Sequence, residues 1–294
     1  MKNFIKKIIL FNIFFSTAMA LLFLAIDSAL KKHMSNESLE NETSILILGD
    51  SHVVTAINDT IIQGSINIAN HSEQYLFTYN KLLKILPENP QINTVFMGCS
   101  YHNFSNYLAE GIHEKSSVLN WLYVIPINDQ LKIMSGSESP LHTFSTSLKS
   151  NIKQLASPGK RAWLGGYSPA GNTTLVDSNC IIERIQKQFY DENSIRSTFK
   201  GNIFYLDKII NLLQTKKISL KIIKTPLAAE YESNVPLKFR VFYDSIIKSN
   251  NLELVDFKNL LMVKEDFLPD GDHLSHYGAK KVSEYLQLFE SNQH

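Results

Sequence analysis

The longest hydrophobic pattern in the chain has no polar face. From Ile8 to Ile26 no charged residue interrupts a mostly apolar run, and Lys2, Lys6 and Lys7 precede it. About 20 such residues cross a bilayer as a helix. Lysines ahead of the run favour a cytoplasmic N-terminus and place the following body outside, a bias that Lys31 and Lys32 weaken slightly. Ala18-Met19-Ala20 has the small-residue pattern of a signal-peptidase site, yet the apolar run continues through Leu21-Leu22-Phe23-Leu24. A retained anchor is therefore expected rather than a cleaved signal peptide. Residues 1–30 form this anchor or signal sequence. The Ser-, Asn-, Glu- and Lys-rich stretch that follows, down to residue 43, is expected to be a polar tether.

Beyond it the pattern changes to short β-branched runs separated by longer helical ones. Ser44–Leu48, Ile66–Ala69, Asn93–Met97, Ile218–Ile223 and Leu252–Val255 are the predicted strands. Apolar positions recur with a helical period in Glu73–Leu86, Phe204–Leu213, Lys238–Ile247 and Tyr277–Phe289, and Pro87 and Pro90 stop the first of these. Strands alternating with helices imply βαβ units, a parallel sheet covered on both faces and an α/β domain over 44–294. Ligands of such sheets bind beyond the carboxyl ends of the strands. That rim would hold Ser51, the residues after Met97 and the loop before the last helix. Residues 104–200 break the alternation. They contain Trp121 and two turn-rich patches, Ser135–Pro140 and Ala156–Asn172, and are expected to be an insertion that is either a lid over the site or plain connecting structure.

Composition changes this picture little. The 294 residues carry 44% hydrophobic and 19% charged side chains, with 29 Lys+Arg against 28 Asp+Glu. That is an ordinary globular balance, and it advertises no nucleic-acid surface. Cys99 and Cys180 are too few for a disulfide framework and are expected to be two separate buried thiols. His71, His102, His113 and His142 lack ligand spacing, so no metal site is expected. No phosphate-cradling glycine loop is present, and no cofactor is expected.

Two short segments carry candidate chemistry. Gly49-Asp50-Ser51-His52 ends the first strand and enters a helix predicted over Ser51–Asn58. A serine there sits near free helix N–H groups, although Asp50 or Ser51 could simply cap that helix. Serine needs a base within hydrogen-bond reach to become a nucleophile. Near the C-terminus stands Asp270-Gly271-Asp272-His273-Leu274-Ser275-His276. Three residues of separation on a glycine-containing turn let Asp270 fold back onto Nδ1 of His273. Nε2 is then free to accept a proton from Ser51. Asp272 is expected to be worse placed for this, and His276 is a competing base.

Together these segments resemble the SGNH (GDSL-type) hydrolases, whose nucleophile lies in an early Gly-Asp-Ser block and whose acid and base form a late Asp-x-x-His. The fuller pattern, GDSH near one end and DxxHLSxxGA near the other, is most like the SGNH domains of bacterial cell-envelope O-acyltransferases. The resemblance implies a three-layer α/β/α, flavodoxin-like fold and a Ser51–His273–Asp270 triad. It also implies an oxyanion hole made after the second and third strands. The family's second-block glycine is missing here, so a backbone N–H of His71 or Ser72 would serve, with Asn103 as the amide after the third strand. Implied too are an acyl ester or surface polysaccharide as substrate and a multi-pass membrane acyltransferase as partner. The departures in the middle blocks leave a second expectation, a tethered binding or assembly factor with weakened catalysis.

Overall fold

A computed structural model of the chain describes residues 1–34, 38–109, 122–156, 163–170 and 175–292. Trp121, His113 and parts of the Ala156–Asn172 patch lie outside the described residues.

Five parallel strands form the central sheet: β1 (Ile45–Leu48), β2 (Ser65–Asn67), β3 (Thr94–Gly98), β6 (Ser219–Ile223) and β7 (Glu253–Val255), in the order β2-β1-β3-β6-β7. The other two strands, β4 (Tyr190–Asp191) and β5 (Ser194–Ile195), pair with each other as a small antiparallel ribbon. Every residue of β1 and β3 is buried, which explains why ILIL and TVFMG read as continuous apolar runs rather than alternating ones. Helices α2 (Ser51–Ala56) and α10 (His276–Ser291) pack on each other, as do α3 (Tyr75–Ile85) and α7 (Lys200–Lys216). Right-handed crossovers in this strand order put those pairs on opposite faces of the sheet. The chain leaves β1 in one direction for β2 and later builds outward in the other. The order therefore reverses between β1 and β3, where doubly wound sheets open their ligand crevice. Ser51 stands at that opening.

Helix α1 (Lys2–Met34) is long and apolar enough to cross a membrane. Its first two thirds present apolar side chains outward, Leu10, Phe14 and Leu21 among them. The last third is packed into the folded body. Phe23, Ile26, Leu30 and Met34 are buried at steps of three and four residues, so one stripe of the helix belongs to the body's core. Phe23 meets the ring of Phe144 on α5 (Pro140–Ala156), with centroids 5.2 Å apart. Asp27 is buried with them, pairs with Lys31 Nζ at 2.7 Å and accepts from Gln130 Nε2 at 2.7 Å. Leu39 and Thr43 are buried as well, and the Leu39 N–H donates to Asn89 Oδ1.

The described parts of the insertion are mainly helical: α4 (Ile127–Gly136), α5 and α6 (Ser178–Phe189). Helices α8 (Ala229–Asn234) and α9 (Leu237–Ser249) fill the connection from β6 to β7. Cys99 is buried, but Cys180 is only partly so, and both thiols are free. Cys180 lies in the first turn of α6, on the side of the helix away from the buried Ile181 and Ile185, which is why the expected second buried thiol is not found.

Candidate active site

Strand β1 delivers the first component. Gly49 follows it at φ +154, and a Cβ at that position would lie 2.4 Å from Val53 Cγ2, so the sharp entry into α2 requires glycine. Asp50 is the N-cap: its Oδ1 accepts the His52 N–H at 3.0 Å, and its backbone carbonyl accepts from Val53 and Val54. The capping expectation therefore holds for Asp50 and leaves the Ser51 hydroxyl free for another partner. That partner is His273, whose Nε2 lies 2.9 Å from Ser51 Oγ. His273 Nδ1 lies 2.7 Å from Asp270 Oδ2. Asp270 Oδ1 accepts the backbone N–H groups of Asp272 and His273, so one carboxylate shapes the turn and faces the ring. The structure thus brings Ser51, His273 and Asp270 into one hydrogen-bonded line. His276 begins α10, its ring tilted by 40° against that of Tyr277.

Beneath this line lies a buried layer of ionisable groups. Asp50 Oδ2 meets His102 Nε2 at 2.6 Å and accepts from Asn103 Nδ2 at 2.8 Å. The rings of His52 and His102 stack with centroids 4.1 Å apart, and His52 lies 4.8 Å from His273. Asp272 is fully buried. Its Oδ2 accepts from Arg184 Nε at 2.9 Å and Gln188 Nε2 at 2.8 Å, and meets His52 Nε2 at 3.2 Å. Its Oδ1 comes within 2.8 Å of His273 Nδ1. Asp272 is therefore as close to the imidazole as Asp270, although the hydrogen bond goes to Asp270. The turn at Gly271 folds both carboxylates to the same ring nitrogen.

The charges follow from this packing. Burial would raise the pKa of Asp50, but the charge and hydrogen bond of His102, with His52 beside it, hold the carboxyl far below its usual range. Burial and His102 push His52 down to about 4, so its ring is neutral near pH 7. Burial alone would lower His273. Asp272 first, and then the hydrogen bond to Asp270, instead carry it well above the ordinary histidine value. Asp272 stays ionised despite burial because His273 and Arg184 face it.

The second-block loop closes one side. Its Asn70 N–H donates to Gly49 O, tying it to the Ser51 turn, and Ser72 takes a left-handed φ of +60. His71 is exposed and near enough to His273 for that charge, after partial burial, to lower its pKa. The backbone N–H groups of Ser51, His71 and Ser72 meet no acceptor among the described residues. From below, the buried Lys81 Nζ donates to Ile68 O at 2.6 Å and to Glu73 at 2.5 Å, bracing a loop that has no glycine. The amide of Asn103 is engaged elsewhere. It donates to Asp50 and accepts the Ser100 N–H at 2.7 Å, which sets it in the layer under the Ser51 turn.

The insertion reaches the same rim. The Gly166 N–H donates to Ala69 O, the Ser168 N–H to Val54 O, and Asn70 Nδ2 to Trp163 O. A Cβ on Gly165 would come 1.9 Å from Ala69 O, so this strap lies directly on the second-block loop. Helix α6 supplies Arg184 and Gln188. Sequence reading missed both, together with His52, His102 and Lys81. The spacing of four residues between Arg184 and Gln188 on an amphipathic helix was the available signal.

His52, Asp272 and His273 put ligand-type atoms within 4.8 Å of one another. A cation there would have to displace the Arg184 guanidinium from Asp272 and strip His273 of its partners, so the donor set fits an ionic hydrogen-bond network better than a metal.

No family model matches the sequence, and no curated protein matches it. Solved structures overlap it in outline. A GDSL-like lipase from Bacteroides thetaiotaomicron has 10% identity and a TM-score of 0.37 over 87% of this chain and 92% of its own. A proposed platelet activating factor from Streptococcus pneumonia has 13% identity and a TM-score of 0.41 over 94% and 96%. A proposed acylhydrolase from Bacteroides fragilis has 8% identity and a TM-score of 0.37 over 87% and 90%. Overlaps of that depth identify neither a substrate nor a reaction.

Proposed function

We propose that this chain is a membrane-anchored serine ester hydrolase or O-acyltransferase of the SGNH type. The observation that supports it is the line Ser51 Oγ–His273 Nε2–Asp270, at 2.9 and 2.7 Å, joining segments 222 positions apart. Ser51 Oγ attacks the ester carbonyl while its proton passes to His273 Nε2, and Asp270 keeps the other ring proton on Nδ1. The oxyanion is held by the Ser51 N–H and by N–H groups of the His71–Ser72 loop. Asn103, with its amide committed to Asp50 and Ser100, acts by fixing the nucleophile turn rather than by touching the oxyanion. His273 then protonates the leaving alkoxide, and water or a sugar hydroxyl resolves the acyl-enzyme.

On this reading the N-terminus is cytoplasmic, residues 8–26 cross the membrane and the body works outside the cytoplasm. Its substrates are acetyl esters of a cell-surface polysaccharide, and for transfer a multi-pass acyltransferase supplies the acyl group. The test uses the full chain in detergent with p-nitrophenyl acetate and a fluorophosphonate probe. The native chain should turn over the ester and label, and Ser51→Ala should do neither. Undiminished turnover by Ser51→Ala refutes the proposal, and a folded native chain that neither labels nor turns over favours the binding-factor reading.

A further inference from the structure

We infer that Asp272 is a second carboxylate in the service of His273, a positioning residue that keeps the ring proton on Nδ1 when Asp270 no longer can. The inference rests on the serine-esterase reading and adds to it a fourth member held by the insertion.

The argument starts from two nearly equal distances. Asp270 Oδ2 and Asp272 Oδ1 lie 2.7 and 2.8 Å from the same nitrogen. Nδ1 carries one hydrogen, and its direction satisfies Asp270. Asp272 Oδ1 is left fully buried and without a hydrogen-bond partner among the described residues. A buried carboxylate oxygen lacking a donor is costly, so a fold that keeps one usually has a use for it. Here the unused acceptor is aimed at a proton already engaged by a neighbour.

The two carboxylates differ in surroundings. The side chain of Asp270 is 26% exposed and that of Asp272 is 0% exposed. Water screens the first, while the second acts on the ring through a dry, weakly polarisable path. Asp272 is also immobilised. Arg184, Gln188 and His52 all converge on Oδ2, which leaves Oδ1 no freedom to swing from Nδ1. Gln188 is in turn held by the Tyr231 hydroxyl. Asp270 therefore directs the proton, and Asp272 supplies the field that favours the imidazolium formed during attack. Neither takes the proton; it stays on Nδ1 throughout.

The decisive variant is Asp270→Asn in the full chain. It preserves an oxygen for the backbone N–H groups of residues 272 and 273 but faces Nδ1 with an amide. Where a triad has a single acid, that change turns the imidazole to the wrong tautomer and costs about 10⁴ in rate. With Asp272 in place, kcat for p-nitrophenyl acetate should fall by about 10² or less. The double variant Asp270→Asn/Asp272→Asn should fall to the level of Ser51→Ala. Asp272→Asn alone should move the acid limb of kcat/KM to lower pH, because it removes the buried negative charge that favours protonated His273. If Asp270→Asn drops to the Ser51→Ala level, the inference is overturned however the Asp272 variants fold. If Ser51→Ala itself retains activity, the esterase reading fails first, and the two failures are told apart.

Discussion

His273 illustrates how a single residue can set a measurable property of the whole site. Two carboxylates raise its pKa, and a general base works only in its neutral form, so the acid limb of kcat/KM should lie above the ordinary histidine value of about 6.5. A pH–rate profile with p-nitrophenyl acetate measures this, and a limb at or below pH 6 would mean that the carboxylates do not act on the ring. Lys81 makes a prediction about stability instead. It is completely buried with Glu73 and a backbone carbonyl. Lys81→Met would strand a buried carboxylate and should cost about 3–5 kcal/mol in chemical denaturation, whereas Lys81→Met/Glu73→Leu should recover most of that loss. The geometry around Asp270, His273 and Ser51 was legible from spacing and residue type. The supporting layer was not. His52, His102 and Asp272 have partners distant in sequence, and a lone histidine or aspartate gives no local sign of what the fold will bring to it.

Among the elements, those with an apolar period were readable. The predicted strand Asn93–Met97 appears as Thr94–Gly98, and the predicted helix Tyr277–Phe289 as His276–Ser291. Helix α5 went unread although Leu141, Phe144, Leu148, Ile152 and Leu155 recur at helical steps, because its buried face mixes Leu148 with the polar Thr143, Ser147 and Asn151. The second-block strap was hidden for another reason, since a Gly-Gly pair in a polar stretch signals a turn but not the surface it lies on. The contact makes a prediction. Gly165→Ala would push a methyl into Ala69 O from a backbone φ of +74. The strap and the loop bearing His71 and Ser72 should shift together, lowering Tm and reducing kcat/KM by up to about 10², the sensitivity expected of a site displaced by about 1 Å. Native values for both would separate the strap from the site.

Taken as a whole, the molecule is an α/β body with a long helix built into it. Ile26, Leu30 and Met34 are core residues on a helix that begins at Lys2, so the end of that helix is packed into the body. Their period was obscured by the charged and polar residues between them. Leu30→Ala should accordingly destabilise the body by about 2–5 kcal/mol, read as a lower denaturation midpoint for the full chain in detergent. An unaffected midpoint would mean that this stripe adds nothing to the body's stability. If α1 spans a bilayer, this packing also sets the reach of Ser51. A floppy leash would let Ser51 sample a wide shell above the lipid, while a helix shared between membrane and core acts as a rigid mast. Ser51 then stands at one altitude and one bearing, and whatever meets it must travel to that level.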